Sequence, residues 1–182
     1  MTGVLPSQAI EKMLDRNEIT ACDPLVEGQI QPASLDLRLG RVAYRVRASF
    51  LAGQGNSVAQ RIKEFEMHRI DLSDGAVLEK GCVYVVPLME SLDLPADITA
   101  VANAKSSTGR LDLLTRTVVD GGTEFDRIPP GYNGPLYAEI CPRSFSVLVR
   151  PGMRLNQIRF RAGEARLSED QLRRLHREVR LV

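Results

Sequence analysis

Short runs of alternating apolar and polar residues, separated by glycine and proline, constrain the fold of this chain more than any other feature. The run QPASLDLRLG covers residues 31–40. In it Leu35, Leu37 and Leu39 alternate with Ser34, Asp36 and Arg38, and the run ends at Gly40. Successive side chains of a β-strand point to opposite faces, so this alternation predicts a half-buried strand.

Similar strand-like runs, punctuated by glycine and proline, recur along most of the chain. They are VAYRVRASF, AVLEKGCVYVVPL, DITAVANA, GPLYAEICP and FSVLVRPGMRLNQIRFR. Many short strands at roughly regular spacing, punctuated by turn residues, are typical of β-sandwiches and barrels. The fold class predicted from the residues is therefore all-β, or mainly β.

Short helices are predicted as accessories to these strands. Near the N-terminus Ser7 can cap a helix whose apolar face carries Ile10, Met13 and Leu14. A second helix is expected after residue 56, capped by Asn56 or Ser57.

A third helix is predicted at the C-terminus, in SEDQLRRLHREV. Ser168 and Gln171 have the spacing of a capping box. The helix has a narrow apolar stripe and a basic, solvated face; the stripe is Leu172, Leu175 and Val179, and the face is Arg173, Arg174 and Arg177. We predict one domain over residues 1–163 and a helical extension or connector over residues 164–182.

Charge and composition exclude several classes of protein. The net charge of the 182 residues is +1, so the chain lacks the basic footprint of proteins that bind nucleic acid polymers. No run approaches 18 consecutive apolar residues, and the N-terminus does not resemble a signal peptide. Three cysteines, Cys22, Cys82 and Cys141, suit reduced thiols packed as small core residues. These features predict a cytoplasmic protein without a membrane span.

The segment KSSTGR, residues 105–110, has the chemistry of an anion-binding site. Lys105 and Arg110 are cations, the next three residues after Lys105 carry hydroxyl donors, and Gly109 allows a close backbone approach. A helical turn here, following the strand ITAVANA, would direct backbone N–H groups at a bound phosphate. A solvated turn between two strands is the alternative.

Glu139 is the second candidate, because it is a carboxylate within the apolar run LYAEI. Strand alternation puts Tyr137, Glu139 and Cys141 on one face and Leu136, Ala138 and Ile140 on the other. A glutamate in such a run is usually solvated on the outer face. If it is enclosed instead, desolvation favours its use as a proton acceptor.

Several common catalytic motifs are absent from the sequence. The chain has no GxxxxGK[ST] and no GxGxxG motif. The zinc ligands of nucleoside deaminases require HxE and PCxxC, whereas CPRS contains one cysteine. His68 and His176 lie in unrelated segments and are expected at the surface. A zinc site and a Ser-His-Asp triad are therefore both disfavoured.

Four motifs taken together resemble the dCTP deaminase/dUTPase superfamily, and its dCTP deaminase branch in particular. They are QPASLDLRLG, ESLDLPADITAVANAKSSTGRLDL, PPGYNGPLYAEI and VRPGMRLNQIRF, which occur in this order. The resemblance covers roughly residues 29 to 160. It is closest to a bacterial subgroup with two such domains in tandem, of which this chain is similar to the N-terminal half.

The resemblance implies a distorted β-barrel or jelly-roll of the dUTPase-like type and a homotrimer with active sites at subunit boundaries. It also implies hydrolysis of dCTP to dUTP and ammonia without zinc, in pyrimidine deoxynucleotide biosynthesis. Mg²⁺ would be bound through the triphosphate of the substrate. The small-molecule ligands are then dCTP and dUTP.

The resemblance also implies a role for each motif residue. The catalytic residues would be Glu139, as general base, with Arg110 and Ser106 facing the base and the attacking water. Lys105 and Ser107 would hold phosphate oxygens, and the remaining substrate-binding positions would be Thr108, Gly109, Tyr137 and Ala138. Lys105 stands where the family usually has arginine, which keeps the charge but loses the planar fork of donors.

Two departures from the family pattern leave alternatives open. Pro129 occupies the position of an Asp that activates water in dUTPases, which disfavours a dUTP pyrophosphatase. Asp120 or Asp126, in the longer segment TRTVVDGGTEFDR, are candidates to replace that carboxylate. The C-terminal helix does not resemble the flexible lid of the family. A nucleotide-binding or structural domain without turnover is therefore the second hypothesis.

Overall fold

The computed structural model describes residues 2–164 and 167–180, and these residues form a mainly β fold. Its strands are β1 (Gly3–Val4), β2 (Ile19–Ala21), β3 (Ile30–Gln31), β4 (Ser34–Arg38), β5 (Val42–Val46), β6 (Glu66–Asp71), β7 (Ala76–Leu78), β8 (Val83–Asp93), β9 (Ile98–Ala104), β10 (Leu113–Val119), β11 (Arg127–Ile128), β12 (Asn133–Pro142), β13 (Val147–Val149) and β14 (Arg154–Ala162). Its helices are α1 (Ser7–Asp15), α2 (Val58–Phe65), α3 (Ser106–Arg110) and α4 (Glu169–Val179).

Two six-stranded sheets form the body of the fold. The first has the order β11-β9-β14-β4-β3, with β1 paired to β14, and the second has the order β10-β12-β8-β5-β6, with β2 paired to β8. A two-stranded sheet, β13-β7, stands beside them. The predicted jelly-roll type of fold with short helices is confirmed. The sheets stay open and do not close into a barrel.

Two hydrophobic clusters occupy opposite faces of the second sheet. The larger cluster lies between the two sheets, and its buried members include Leu37, Val86, Ala138 and Phe160. The smaller cluster lies on the outer face, beneath α2 and the preceding loop, and its buried members are Val46, Phe50, Ala52, Val58, Ile62, Val85, Val118 and Tyr137. Neighbouring residues of one strand thus belong to different clusters, as the alternation of strand side chains requires.

Strand β4 is buried on both faces, so the expectation of a half-buried strand is wrong. The leucines of its alternating pattern face the larger cluster, as predicted. The opposite face is also covered, because Asp36 forms an ion pair with Lys105 and Arg38 forms one with Glu90. The alternation correctly separated the two faces but could not show that ion pairs enclose the polar one.

The helices begin close to the predicted positions. Ser57 caps α2 in a capping box with Gln60, and Ser168 caps α4 in the same way with Gln171. At α1 the expected cap is wrong, because Pro6 is the N-cap residue and Ser7 is the first residue of the helix. Proline is in an extended conformation there, which is compatible with a helix start but provides no side-chain acceptor.

Strands β6 and β10 and the positions of the cysteines depart from the sequence expectations. Neither strand was among the predicted runs.

Of the free cysteines, Cys141 is buried, Cys82 is half-buried and Cys22 is exposed, so the prediction of three core cysteines is wrong for Cys22. His68 and His176 are both exposed, as expected.

Helix α4 carries its apolar stripe on the surface. The helix has no buried residue, and Leu172 and Val179 are both exposed. The arginines of its basic face are exposed as predicted. Residues 165, 166, 181 and 182 of the predicted extension lie outside the described residues. Within residues 2–164 and 167–180, no helix is long and apolar enough to cross a membrane.

A buried ion pair joins the two sheets where β4 and β8 approach each other. The side chains of Arg38 and Glu90 are 3% and 0% exposed, and Arg38 Nε donates to Glu90 Oε1 at 2.7 Å. The backbone N–H of Arg38 donates to Glu90 Oε2 at 2.8 Å, and Gln29 Nε2 donates to Oε1 at 2.8 Å. The two terminal nitrogens of Arg38 donate to the carbonyls of Asp23 and Pro24, each at 2.7 Å. This network fixes the loop after β2 against both sheets.

We expect Arg38→Met to lower the free energy of unfolding by about 3–5 kcal/mol, because it leaves the Glu90 carboxylate buried without a cation. Urea unfolding monitored by circular dichroism measures this change. The control is Arg173→Met, which removes an exposed ion pair with Glu169 on α4 and should leave stability close to that of the wild type. Equal stability of the two variants would contradict the prediction.

Candidate active site

Glu139 lies on the outer face of the second sheet, in the middle of β12. As the alternation predicts, Leu136, Ala138 and Ile140 belong to the larger cluster, whereas Tyr137 belongs to the smaller one. Glu139 shares the face of Tyr137 and is only 2% exposed. The carboxylate is therefore enclosed, which is the less common of the two outcomes considered for such a residue.

Arg116 is the ion-pair partner of Glu139. The register of β10 and β12 sets the two residues directly opposite each other. Arg116 Nε donates to Glu139 Oε1 at 3.0 Å, and Nη2 donates to the same oxygen. The guanidinium carbon lies 3.7 Å from the centre of the Phe125 ring, and Nη2 also donates to Ser49 Oγ at 3.0 Å. An ionised glutamate at this depth is stabilised by such a cation.

The two aspartates of the long segment TRTVVDGGTEFDR have different surroundings. Asp126 Oδ1 accepts a hydrogen bond from the backbone N–H of Thr117 at 2.7 Å. Burial raises the pKa of Asp126, while Arg116 lowers it and Glu139 raises it, so the three charges interact. Asp120 Oδ1 instead accepts from the backbone N–H of Val58 at 2.7 Å, at the start of α2. Asp126 is thus the carboxylate of this segment that lies near Glu139.

The segment KSSTGR follows strand β9 as the helical turn α3, which is one of the two alternatives that its sequence left open. Lys105 is its N-cap residue, and the Lys105 amide donates to the carbonyl of Leu155 at 2.9 Å. Thr108 is buried, and its hydroxyl donates to the same carbonyl at 2.9 Å. These two bonds anchor α3 to β14. Thr108 therefore has a structural contact within the chain, in contrast to the solvent-facing residues of α3.

Four residues of α3 face solvent, namely Ser106, Ser107, Gly109 and Arg110. A Cβ atom at Gly109 would meet no atom of this chain within 4 Å, so open space adjoins the backbone there. The exposed hydroxyls and the guanidinium are thus free to contact a ligand or another copy of the chain. A cavity of about 510 Å³ borders α3 and includes Gly109, Asp112 and Arg143 in its wall.

Lys105 is held by Asp36, a contact that the sequence pattern did not predict. The Asp36 side chain is 1% exposed, and Lys105 Nζ forms an ion pair with its Oδ2. Arg154 Nη1 lies 3.7 Å from the same oxygen, while Oδ1 has no hydrogen-bond partner among the described residues. The two cations and one buried carboxylate leave a net positive charge beside α3.

The structure brings the predicted residues together in two separate groups. Tyr137 and Glu139 lie on one face of β12, and residues 105–110 form a continuous turn. Within residues 2–164 and 167–180, no hydrogen bond or ion pair joins Glu139 to Ser106 or Arg110. Ala138 faces the larger cluster and is fully buried, so its side chain cannot face a ligand on the side of Glu139.

Tyr137 borders a second cavity on the outer face of this sheet, of about 340 Å³. The walls are formed by Tyr44, Ala59, Ile62, Lys63, Glu66, Arg69, Pro87 and Tyr137. Pro129, the residue that departs from the family pattern, lies elsewhere, in a cavity of about 380 Å³ that also includes Arg127 and Arg161. No group of three or more His, Cys, Asp or Glu residues suited to a metal ion occurs in the part of the chain that the structure describes.

Sequence reasoning missed Arg116, Phe125 and Asp36 as site residues. Arg116 is a lone charge in the run LLTRTVV, which is the signal that could have marked it. The run was not recognised as a strand, so its pairing with β12 could not be considered. Asp36 was placed on the polar face of β4, but its contact with Lys105 joins residues 69 positions apart.

A family model described as the 2′-deoxycytidine 5′-triphosphate deaminase (DCD) N-terminal domain matches residues 1–164. The chain belongs to this family. The match confirms the resemblance predicted from the four motifs. It also places the enclosed Glu139 and the exposed turn α3 within the matched region.

Relatives named as dCTP deaminases cover most of the chain. A "dCTP deaminase, dUMP-forming" from Parafrankia sp. is 32% identical over 148 residues, which are 79% of this chain and 70% of the relative. A dCTP deaminase from Actinobacillus succinogenes is 30% identical over 159 residues, which are 83% of this chain and 79% of the relative.

A solved structure confirms the fold. The 2′-deoxycytidine 5′-triphosphate deaminase from Agrobacterium tumefaciens is 55% identical, with a TM-score of 0.91 over 98% of this chain. The alignment covers 53% of the Agrobacterium chain, so the present chain spans about half the length of that relative.

We expect the stability of the protein to depend on Tyr137 in alkaline solution. Burial, with smaller effects of Asp120 and Tyr44, raises the pKa of Tyr137 from 10 to about 12. A raised folded-state pKa favours the neutral phenol, and its contribution is complete below pH 10 and is lost as the pH rises through 12. Relative to Tyr137→Phe, the wild type should therefore lose stability between pH 10 and pH 12.

Urea unfolding of both proteins at a series of pH values measures this difference. Tyr84 and Tyr132 are present in both proteins, so the effect of their own burial contributes equally to the two curves. Parallel stability curves across this pH range would contradict the assignment.

Proposed function

We propose that this chain is a dCTP deaminase that hydrolyses dCTP to dUTP and ammonia, with Glu139 as the general base. The observation that carries this proposal is a buried glutamate, 2% exposed and held by Arg116, in the segment that matches the dCTP deaminase domain. The 55% identity to the Agrobacterium dCTP deaminase supports the assignment. A role in pyrimidine deoxynucleotide metabolism and a cytoplasmic location are parts of the same proposal.

The proposed reaction needs a group that both accepts and returns protons. Glu139 takes a proton from water as the water oxygen bonds to C4 of cytosine, and N3 receives that proton. The new hydroxyl then loses its proton through Glu139 to the amino group, the C4–N bond breaks, and ammonia leaves. One carboxylate can perform each transfer because it returns to its ionised form after each step.

We propose that Glu139 and α3 act together across two copies of the chain. Ser106 and Arg110 are exposed and make no hydrogen bond with Glu139 within the described residues, so the groups of a single site are divided in one chain. In a homo-oligomer of trimer type, Arg110 of one copy would stabilise charge that develops on the base held by the other. Ser106 would orient the attacking water.

The triphosphate would be held beside α3. Lys105 and Arg154 leave a net positive charge around Asp36, and the Ser107 hydroxyl faces solvent. Lys105 and Ser107 are the proposed phosphate ligands, and Gly109 leaves room for a close approach. Mg²⁺ fits such a site when phosphate oxygens and water provide most of its ligands, as is usual for nucleotide-bound magnesium. Deamination without zinc is part of this proposal.

A second outcome, in which the product is dUMP, is favoured by the name of the Parafrankia relative. Pro129 opposes it, because proline cannot activate a water at the α-phosphate. A nucleotide-binding domain without turnover is a further alternative, since the chain spans about half of the Agrobacterium protein. Analysis of the products from dCTP and Mg²⁺ separates the three: dUTP with ammonia, dUMP with ammonia and pyrophosphate, or unchanged dCTP.

We expect Glu139→Gln to abolish deamination while dCTP binding stays close to that of the wild type. Glutamine has the same shape and can still accept from Arg116 through its carbonyl oxygen, but it cannot accept a proton from water. Ammonia release measures turnover, and calorimetry measures dCTP binding. Equal ammonia release by the variant would refute Glu139 as the base.

We expect two inactive variants to restore activity when they are mixed. Glu139→Gln and Arg110→Ala each remove one half of the proposed site. Copies exchanged by mild denaturation and refolding would form some sites with Arg110 from one variant and Glu139 from the other. Ammonia release by the refolded mixture, but by neither variant refolded alone, is the expected result. No activity in a mixture that forms wild-type-sized oligomers would contradict a site shared between copies.

A further inference from the structure

The two carboxylate oxygens of Glu139 are in different surroundings. Oε1 accepts hydrogen bonds from both Nε and Nη2 of Arg116. Oε2 is also buried, but it accepts no hydrogen bond from any residue that the structure describes. A buried carboxylate oxygen without a donor is costly, and the great majority of such atoms in proteins have a partner. Oε2 is thus an acceptor that the folded chain leaves vacant.

This arrangement differs from the usual pairing of arginine with a carboxylate. A guanidinium commonly forms two parallel bonds, one to each oxygen, which would satisfy both. Here both donors of Arg116 reach the same oxygen. The register of β10 and β12 sets Arg116 directly across from Glu139, so the guanidinium reaches the carboxylate from the side of β10.

Arg116 is itself fixed by contacts that do not involve Glu139. The Phe125 ring covers one face of the guanidinium at 3.7 Å, and Ser49 Oγ accepts a hydrogen bond from Nη2 at 3.0 Å. A cation over an aromatic face is attracted by the ring, and an arginine held at several points loses little further freedom when it binds. The guanidinium is therefore preorganised before any ligand arrives.

Asp126 adds a negative charge beside this pair. Asp126 interacts with both Arg116 and Glu139, and its own Oδ1 accepts from the Thr117 amide. Arg116 is thus the cation that balances two carboxylates, and a neutral residue in its place would leave them facing each other. Val85, which lies directly across from Glu139 on β8, is apolar.

We propose that Arg116 is a positioning residue for the deamination: it holds Glu139 through Oε1 and leaves Oε2 as the oxygen that exchanges protons with water and substrate. This inference rests on the proposed function, with Glu139 as its base. The water donates a hydrogen bond to Oε2 and gives up its proton there. Oε1, held by Arg116, does not take part in the transfer.

The test compares Arg116→Met with Arg45→Met. Arg45 is a matched control, because it lies in the same sheet, forms an ion pair with Glu79 and has a side chain 31% exposed against 30% for Arg116. For Arg116→Met we expect kcat for dCTP to fall about 100-fold, the order contributed by a positioned acid–base group, while KM changes less than about threefold. Arg45→Met should leave both constants close to wild type.

Partial rescue separates positioning from general destabilisation. Arg116→Lys keeps a cation but lacks the two adjacent donors, so kcat should fall about tenfold and lie between those of the wild type and Arg116→Met. Guanidinium ion at millimolar concentration should raise kcat of Arg116→Ala and leave Arg45→Ala unchanged. Circular dichroism confirms that each variant is folded, and if Arg116→Met fails to fold, Arg116→Lys decides.

The outcomes distinguish this inference from the function on which it rests. A wild type that releases no ammonia from dCTP overturns both. An active wild type beside an Arg116→Lys variant with unchanged kcat overturns the positioning role alone. The positioning role is also overturned if the Arg116 and Arg45 variants show the same loss of kcat and the same increase in KM. The predicted order of kcat with a nearly constant KM supports it.

Discussion

The antiparallel register of β10 and β12 is the constraint on which the candidate site depends. It sets Arg116 opposite Glu139 on the outer face and directs Thr115 and Thr117 to the inner face. Because strand side chains alternate with a period of two, a shift of one residue would place a threonine against Glu139 and turn Arg116 towards the core. The apolar residues of the inner face oppose such a shift, since it would expose them. Packing of the main core thus determines which cation meets the carboxylate.

The sequence predicted those features that depend on neighbouring residues. The alternation in LYAEI correctly separated Glu139 from Ala138, and the capping box of Ser168 and Gln171 located α4 because a cap needs residues only three positions apart. The start of α2 was expected after residue 56, and the structure selects Ser57 over Asn56 as its cap. The polar composition of residues 105–110 marked an exposed turn after a strand, but a helical turn and an irregular one remained equal alternatives until the structure showed α3. Four motifs in order were also sufficient to predict the family.

Contacts between distant segments could not be predicted from local patterns. Arg116 and Glu139 are 23 positions apart, and Lys105 and Asp36 are 69 positions apart. Each contact exists because two strands or a strand and a turn meet in the fold. The contact of Arg38 with Glu90, 52 positions away, could not be predicted either. The alternation assigned Arg38 to the polar face of its strand but did not indicate that this face is buried. Burial of a charged residue is decided by what covers it.

The two hydrophobic clusters lie on opposite faces of a single sheet, so the residues of one cluster can change in evolution without changes in the other. The larger cluster holds the two sheets together, whereas the smaller one surrounds the outer face with Tyr137 and lies beside Arg116 and Phe125. Because α2 and the loop before it contribute their buried residues to the smaller cluster, substitutions there change the surroundings of Tyr137 and leave the interior between the sheets as it is. The outer face can therefore change its side chains in related sequences while the scaffold between the sheets stays the same.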